Sequence, residues 1–514
     1  MKKNSVYILF ISILLFAVSV QSQSDPLLRI EIDVKSDAAT YKLISCGENG
    51  FVMFYETTIR QDDYQFWVFV SYNKYMQESW KKDVPIFENM SYRKKTLKGE
   101  YLYLLFHDMD KKKSEVYNYQ ILKINITNGK YELFSGEIPD NSKFVEFDVF
   151  GDYVIAGLDT DDEQSGIYSL NMITKETTPV FEMQAERSKV ESIFIDTLHN
   201  SFIGVFNVHT SRSEYFYVLK EFDIGGNELN SIIIKPGANK KLNTGKLVTV
   251  NENERLLIGT YDFVKGGTVD KKDYFSNDAI GFYSIPIIDN EPGEGKFYNF
   301  LDLQNMTGYL KSKEYQQAKK KAEKGDDTDK HSMNFDLLLH EIILKDSMYY
   351  FVTEAYYEAY HTVSSTYYDY YGQPVPVSYS VFDGYKYFNA FISCFDQQGN
   401  KLWDNGMEIF DILSFNLINR VVVHFLDDDV LLAYNREGKI GAKMINGSEV
   451  VEGLEHYPLE SSYSNDKIIT DTKSNMEYWY NNYFIAYGFQ TIRNNDLSNK
   501  SKRVVFYINK VVYE

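Results

Sequence analysis

The sequence FVEFDV (residues 144–149), the turn Gly151-Asp152 and then YVIA (residues 153–156) set the pattern of the whole chain. Short runs rich in Val, Ile, Phe and Tyr, separated by Gly, Asn and Asp, are typical of β-strands joined by tight turns. The same unit returns where VVVHFL (421–426) and VLLAY (430–434) flank three aspartates. Because helical periodicity is almost absent, the sequence predicts an all-β protein.

This unit recurs along the chain at intervals of about 50 residues, apart from two longer intervals between Asn253 and Asp428. Repeats of 40 to 50 residues built from hairpins are typical of propeller blades. A four-stranded sheet with two apolar faces cannot bury them alone, so such sheets stack around an axis. We predict one β-propeller of eight four-stranded blades, with seven as the alternative. The predicted turns are Asn49-Gly50, Lys98-Gly99, Gly151-Asp152, His199-Asn200, Asn253, Asp346, Asp428 and Asn481.

A second hairpin follows the first in each unit, for example at residues 121–134 and 391–403. The last unit, residues 503–513, runs out of chain, whereas residues 28–34 precede the first unit and have no hairpin of their own. We expect residues 28–34 to add to the last blade as its outer strand and so to close the ring.

The segment FDQQGNKLW (residues 395–403) resembles the blade motif of quinoprotein-like propellers, in which an Asp-x-x-Gly turn precedes a Trp. Trp80 has a comparable position. The resemblance implies an eight-bladed fold. The dehydrogenases of that superfamily use vicinal cysteines, several docking tryptophans and a calcium-bound quinone, whereas this chain has two distant cysteines and four tryptophans. The chain is therefore more similar to the cofactor-free propellers that scaffold protein assembly in the cell envelope, and no cofactor is predicted.

The first residues are typical of a secretory signal. Lys2 and Lys3 precede the apolar run 6–20, and Val20-Gln21-Ser22 offers small residues for cleavage. We predict a signal peptide at 1–22, a propeller domain at 23–514, and an exported protein that is periplasmic or secreted. No membrane insertion is expected, because no later segment is long and apolar enough to span a bilayer.

The formal net charge of the chain is −19. Such a surface repels nucleic acid phosphates and anionic membranes, so neither is predicted as a partner. Neutral glycans and proteins remain compatible with it. The oligomeric state is open at this level.

Cys46 and Cys394 are the two cysteines of the chain. The repeat assigns them to the first strand of unit one and the third strand of unit six. Those places are too far apart for a disulfide, so we predict two free thiols.

Motifs that carry catalysis are missing from the sequence. His340-Glu341 lacks the second histidine of a zinc-protease helix, and neither a Gly-x-Ser-x-Gly elbow nor a phosphate loop is present. The acidic run 159–163 lacks the glycine of a calcium loop and is interpreted as a solvated turn, so no metal site is predicted. Blades bring distant carboxylates together, which keeps an exported polysaccharide hydrolase or lyase as an alternative. Two carboxyls with raised pKa values at the channel mouth would favour that alternative.

Three insertions mark the expected working face: residues 261–277, 304–334 and 356–387. All three fall in connections between second and third strands or between blades five and six, and such connections share one face of the disc. Long loops are where binding concentrates. The middle insertion predicts one short helix from Thr307 to Gly325, with a basic face that includes Lys319 and Lys320.

The third insertion is dense in tyrosine, a residue whose flat apolar ring and polar tip suit it to gripping peptides or stacking on sugars. The rings could instead attach a long hairpin to the disc. We predict a binding or scaffolding protein, not an enzyme, that presents this face of blades five and six to a protein or glycan. The candidate ligand-binding residues are Tyr356, Tyr357, Tyr360, Tyr367, Tyr368, Tyr370, Tyr371, Lys319 and Lys320; no catalytic residue can be named.

Overall fold

A computed structural model describes residues 29–108, 118–139, 141–185, 187–211, 214–237, 239–264, 275, 278–303, 305, 320, 334–368, 370–497 and 501–513. The strands form eight antiparallel sheets, so the prediction of an eight-bladed, all-β propeller is confirmed. The predicted signal peptide and nearly all of the predicted helix lie outside the described residues. Among the described helices, none is long and apolar enough to cross a membrane.

The first four blades each contain four strands in chain order. Blade 1 is built from β2 (Lys42–Ser45), β3 (Phe51–Gln61), β4 (Tyr64–Tyr72) and β5 (Glu78–Phe87). Blade 2 is built from β6 (Met90–Lys98), β7 (Tyr101–Asp108), β8 (Tyr119–Asn125) and β9 (Tyr131–Gly136). Blade 3 is built from β10 (Ser142–Phe150), β11 (Tyr153–Thr160), β12 (Ser165–Asn171) and β13 (Thr177–Glu182). Blade 4 is built from β14 (Arg187–Asp196), β15 (Ser201–Ser211), β16 (Glu214–Asp223) and β17 (Glu228–Ile234).

Blades 5 and 6 keep the four-stranded plan but divide one strand each. Blade 5 is built from β18 (Lys240–Thr249), β19 (Glu254–Phe263), β21 (Gly281–Ile288) and an outer strand in two parts, β22 (Glu291–Pro292) and β23 (Lys296–Asn299). Blade 6 has a divided inner strand, β24 (Phe335–Leu339) and β25 (Ile343–Lys345), followed by β26 (Met348–Tyr368), β27 (Pro374–Phe395) and β28 (Lys401–Ser414). The short strand β20 (Asp278–Ala279) leaves blade 5 to pair with β24 and so joins the two blades.

The last two blades close the disc. Blade 7 is built from β29 (Val422–Leu426), β30 (Asp429–Arg436), β31 (Lys439–Asn446) and β32 (Glu449–Pro458). Blade 8 is built from β33 (Lys467–Tyr480), β34 (Tyr483–Arg493), β35 (Lys502–Val512) and β1 (Arg29–Asp33). Strand β1 pairs antiparallel with β35, from Arg29 opposite Asn509 to Asp33 opposite Val505. The expected closure by the N-terminal strand is present.

The predicted turns all fall between the first and second strands of their blades. Gly151 and Gly99 have φ values of 58° and 57°, and Asn481 and Asp346 have φ values of 46° and 51°. This left-handed conformation is open to Gly and tolerated by Asn and Asp, which is why the turn residues were readable from sequence.

A cluster of buried hydrophobic side chains lies at each junction between neighbouring blades. The junction between the last and first blades is packed like the others, with the rings of Trp479 and Phe51 5.7 Å apart. The Trp479 indole also donates a 3.0 Å hydrogen bond to the Gly50 carbonyl. The apolar faces of each sheet are thus covered by its neighbours, which makes the ring a closed unit.

The first strand of each blade lies nearest the axis, since first strands of successive blades contact each other at β6 and β10, β10 and β14, and β14 and β18. The first strands of blades 2 to 5 each contain a bulge where the register with the second strand shifts, at Tyr92/Lys94, Phe144/Glu146, Val190/Ser192 and Leu242/Thr244. A bulge re-aims the side chain of the extra residue. In blade 4 that residue is Glu191.

Both cysteines are free and buried. Cys394 lies in the third strand of blade 6 as expected, and Cys46 immediately follows the first strand of blade 1. Burial raises the pKa of each thiol to about 12. Neither is therefore a reactive thiolate at neutral pH.

Candidate functional site

The candidate site is the part of blade 6 that extends beyond the flanking strands. Strands β26 and β27 stay paired from Tyr349 opposite Phe395 to Tyr368 opposite Pro374. Strand β24 accompanies β26 only as far as Tyr356, and β28 accompanies β27 only as far as Tyr385. Residues 359–384, which we call the arm, therefore form a two-stranded ribbon, of which only Asp369 lies outside the described residues. At about 3.3 Å per residue the arm is roughly 30 Å long.

Most of the predicted tyrosines lie on the surface of this hairpin. Tyr370 and Tyr371 at the turn are 96% and 82% exposed. Tyr357, Tyr360, Tyr367 and Tyr368 are also exposed. The alternative that these rings attach the hairpin to the disc does not describe the outer part of the arm, because its side chains remain open to solvent.

Tyr356 differs from the other predicted tyrosines. It is only 5% exposed and belongs to the hydrophobic core between blades 6 and 7. Its ring packs against Tyr385 and Tyr387. Tyr356 therefore secures the root of the hairpin and does not contribute to the exposed surface. The sequence did not reveal this difference, because it depends on where the flanking strands end.

The two faces of the arm differ in chemistry, since side chains alternate along each strand. Val363 lies opposite Tyr379, Ser365 opposite Val377, and Tyr367 opposite Val375, all on one face. We call this the apolar face; it consists of His361, Val363, Ser365, Tyr367, Val375, Val377, Tyr379 and Val381. We call the other side the hydroxyl face; it consists of Tyr360, Thr362, Ser364, Thr366, Tyr368, Pro374, Pro376, Ser378, Ser380 and Phe382.

The arm is also nearly without charge. Residues 359–384 contain two acidic residues, Asp369 and Asp383, and no Lys or Arg, although a quarter of the whole chain is charged. A projecting ribbon with exposed Tyr and Val377 side chains and so few charges is unusual, and exposed apolar patches mark interaction sites.

Carboxylates cluster at the root of the arm. Asp278 of β20 lies opposite Asp336 of β24, and Asp336 lies opposite Tyr356, two residues before Glu358. Burial and the nearby charges of Asp278 and Glu358 raise the pKa of Asp336 to about 6. The root is therefore acidic, in contrast to the arm above it.

A buried carboxylate holds the root in place. Glu354 of β26 is fully buried and accepts hydrogen bonds from the backbone N–H groups of Arg420 and Val421, at 2.8 and 2.9 Å. His340 lies 2.7 Å from the same carboxylate. Since Arg420 belongs to the connection between blades 6 and 7, Glu354 ties the hairpin to the next blade, and the arm starts from a rigid base.

A second group of carboxyls lies near the axis on the same face of the disc. Asp159, close to the end of β11, accepts a 2.7 Å hydrogen bond from the Val190 N–H. Burial raises the pKa of Asp159 to about 7. Burial also raises the pKa of Glu191, whose carboxylate lies 2.8 Å from Lys189.

Two carboxyls with raised pKa values thus lie close together, but they are largely covered and neither lines a described cavity. The Glu191 side chain is almost inaccessible and is already bound to Lys189 and Asn207. Sequence reasoning missed this pair because residues 159 and 191 belong to different blades. The bulge at Val190/Ser192 changes the direction of the Glu191 side chain, and no sequence pattern predicts this bulge.

Two further acids of the run 159–163 form ion pairs. Lys143 lies 3.2 Å from Asp161, and Arg187 pairs with Glu163. Asp161 and Asp162 are exposed, as expected for a solvated turn, whereas Asp159 at the start of the run is partly buried. No cluster of three or more metal-ligating side chains occurs among the described residues.

Lys319 lies outside the described residues, and Lys320 is described as exposed. The structure therefore does not relate either lysine to the arm. Their contribution to binding stays a prediction.

On the opposite face, a polar cavity of about 320 Å³ lies between blades 4 and 5. It is lined in part by His199, Glu221 and Arg255. Arg255 is buried there and pairs with Glu221 at 2.9 Å and with Asp196 at 3.1 Å. Because the guanidinium is already bound by two carboxylates, the cluster is a structural link between the blades.

No family model matches this chain, and no curated protein matches it. Among solved structures, the polysaccharide lyase Uly1 is similar at 7% identity with a TM-score of 0.40, covering 94% of this chain and 100% of its own. The propeller domain of the Trilobed protease from Pyrococcus furiosus is similar at 10% identity with a TM-score of 0.32, covering 79% and 96%. The Dos1 propeller is similar at 11% identity with a TM-score of 0.36, covering 80% and 76%. No activity follows from these distant likenesses.

Proposed function

We propose that this chain is an exported binding propeller that holds a partner protein through the apolar face of its arm. The observation that carries the proposal is a ribbon of about 30 Å without Lys, Arg or Glu, one face of which exposes Tyr367, Val377 and Tyr379. Apolar side chains left in water at the end of a rigid support gain free energy when a partner covers them.

A protein fits this face better than a glycan. Protein interfaces are depleted in charge and enriched in aromatic residues, and Tyr with Ser supplies rigid contact area together with adaptable hydrogen bonding. A sugar site needs placed polar groups, usually carboxylates or amides, that fix the orientation of the hydroxyls. Of these types the arm contains Asp369, Gln373 and Asp383, and the Asp383 carboxylate is already bound to His361.

The propeller supplies the rigid support, and we propose that it belongs to the cofactor-free, quinoprotein-like type. Two features support this. The Asp396 carboxylate accepts hydrogen bonds from the N–H groups of Gln398 and Asn400, which shapes the Asp-x-x-Gly turn. Trp403 approaches Gly447 in the next blade, as Trp80 approaches Gly129 in blade 2.

The test is affinity capture from envelope and culture-medium fractions of the source organism, with two matched variants. Tyr367→Ser removes a ring from the apolar face, and Tyr368→Ser removes the adjacent ring from the hydroxyl face. Both tyrosines are exposed, at 55% and 71%. We expect Tyr367→Ser to lower capture of the partner about tenfold or more and Tyr368→Ser to lower it by less than about threefold.

Equal capture by the wild type and the Tyr367→Ser variant would contradict the proposal. Retention of a glycan in place of a protein would leave the arm as the binding site but show that the partner class is wrong.

An exported polysaccharide hydrolase or lyase is the second candidate, and the raised pKa values of Asp159 and Glu191 favour it. An acid with a pKa near 7 can donate a proton at neutral pH. Assays for new reducing ends and for unsaturated uronates, with Asp159→Asn as the inactive control, test it. The covered position of Glu191 makes us prefer the binding function.

A further inference from the structure

The two edges of the arm differ in their capacity to accept another strand. Prolines 374 and 376 stand on the β27 edge, and a proline in a paired ribbon is accommodated where its missing N–H would point outward. Such prolines block further strand addition. Across the ribbon, residues 360–368 of β26 contain neither proline nor a Lys, Arg, Asp or Glu side chain. Among the strands that the structure describes, none other than β27 pairs with β26 beyond Tyr356, so this edge lacks the usual protection.

The register shows which backbone groups the open edge presents. Thr366 lies opposite Pro376 and Ser364 opposite Ser378. When two residues lie directly opposite each other in an antiparallel pair, their backbone N–H and C=O groups either bond to each other or all point away from the pair. Because the backbone nitrogen of Pro376 faces outward, the backbone N–H and C=O groups of Thr366 opposite it also face outward. The same holds for every second residue along β26. The outward groups belong to Tyr360, Thr362, Ser364, Thr366 and Tyr368.

These residues read the same in both directions: Tyr, Thr, Ser, Thr, Tyr. In an antiparallel pair of two identical strands centred on Ser364, that serine would face its own copy. Thr362 would then face the partner's Thr366, and Tyr360 would face the partner's Tyr368. Hydroxyl pairs and aromatic pairs are favourable cross-strand combinations, and no like charges would meet.

We propose that two copies of this chain associate by antiparallel pairing of their β26 edges, with the twofold axis at Ser364. The two ribbons then form one four-stranded sheet. An isolated two-stranded ribbon is marginally stable in water, whereas three or more strands with an apolar face are stable. Twofold symmetry is the commonest arrangement of identical subunits.

This dimer goes beyond the proposed function, because it uses an edge of the arm and leaves the apolar face free. The two apolar faces lie side by side in the four-stranded sheet, which doubles the surface open to a partner protein. Partner binding by a monomer remains possible if the dimer does not form, so the two proposals fail separately.

The first test is sedimentation velocity of the full chain at protein concentrations from about 1 to about 100 µM. This range covers a dissociation constant on the order of micromolar. We expect the wild type to reach twice the mass of the chain. Ser364→Pro removes an outward N–H from the open edge without removing a backbone hydrogen bond of the arm, and should weaken the dimer about tenfold or more. It also removes the 3.0 Å contact between the Ser364 and Ser378 hydroxyls, which the control variant removes as well. Ser378→Pro makes the same change on the blocked edge, directly opposite, and should leave the dimer unchanged.

The second test uses cysteine cross-linking. In a hydrogen-bonded antiparallel pair the Cα atoms are about 5.5 Å apart, within the range that a disulfide spans. Ser364→Cys should therefore give a covalent dimer under mild oxidation, and Ser378→Cys should not. The native cysteines are buried and add no background.

A wild type that stays monomeric at every concentration would overturn the proposal. So would a dimer that Ser364→Pro and Ser378→Pro affect equally, or equal cross-linking by the two cysteine variants. Far-ultraviolet circular dichroism of each variant separates these results from misfolding.

Discussion

Asp159 shows how the propeller changes the chemistry of a single side chain. In the unfolded chain this carboxyl is in water, whereas in the disc it lies beside Val190 and near Glu191, and burial raises its pKa to about 7. The ionised form is therefore disfavoured in the folded state. Between the ordinary pKa of an aspartate and about pH 7 the folded chain holds a proton that the unfolded chain has lost, so this group makes the fold less stable as pH rises through that window.

Asp159→Asn should remove this pH dependence, because the amide resembles the protonated acid and its oxygen can still accept the Val190 N–H. We expect the variant and the wild type to have similar melting temperatures near pH 4. The variant should gain stability relative to the wild type up to about pH 7, with a constant difference above pH 8. Thermal unfolding followed by circular dichroism measures this. A difference that stays the same from pH 4 to pH 8 would contradict the raised pKa.

At the scale of elements, the arm and the strands that carry it have different roles. Strand β26 is buried from Tyr349 to Tyr356 and exposed along most of the arm. The buried half packs within blade 6. Its Glu354 carboxylate accepts hydrogen bonds from the backbone N–H groups of Arg420 and Val421, which lead into blade 7. The outer half makes little contact with the disc, so the fold does not depend on it.

Replacing residues 359–384 by Asn-Gly should therefore leave the disc intact. Glu358 and Tyr385 face each other in the ladder, which is the spacing that a two-residue hairpin turn requires. We expect the free energy of unfolding to change by less than about 1 kcal/mol. Tyr356→Ala, at the buried root of the same strand, should cost about 3 kcal/mol or more. Urea denaturation measures both, and similar losses would mean that the arm is part of the fold.

The sequence predicts those elements whose signal is local. Gly99, Gly151 and Asn481 mark turns because the turn conformation itself selects these residue types. The long hairpin at 356–387 could also be expected from its tyrosines, but the burial of Tyr356 could not, because it depends on the ends of β24 and β28. The proximity of Asp159 to Glu191 depends on how two blades pack, which no single strand encodes.

At the scale of the whole molecule, ring closure joins the two ends of the chain. Glu31 of β1 binds Arg503 of β35 at 3.0 Å, and Arg503 also binds Asp466 at 2.6 Å. Burial alone would raise the pKa of Glu31, but the hydrogen bonds and charges of Arg503 and Arg29 outweigh burial and lower it. A lowered pKa stabilises the fold above the ordinary pKa of a glutamate, and this contribution is lost as pH falls through the folded value.

Glu31→Gln should weaken the closure, because it leaves the covered Arg503 guanidinium with one carboxylate in place of two. We expect a loss of about 1.5–3 kcal/mol at pH 7, which shrinks below about pH 4 as the wild-type Glu31 takes up a proton. Glu132→Gln, in the outer strand β9 and exposed, is the matched control and should change little. Denaturant unfolding at the two pH values measures the effect, and equal stability of both variants at pH 7 would show that the closure does not rest on this network.

The central claim is that the apolar face of the arm is the surface through which this propeller binds a partner protein. Site-specific photo-cross-linking tests it most directly, with benzoylphenylalanine in place of Val377 on that face or in place of Val450 on outer strand β32. Both valines are exposed, so neither position is hidden from a partner. We expect a covalent adduct with a defined partner protein from position 377 and none from position 450. Adducts from position 450 alone, or none from position 377, would contradict it.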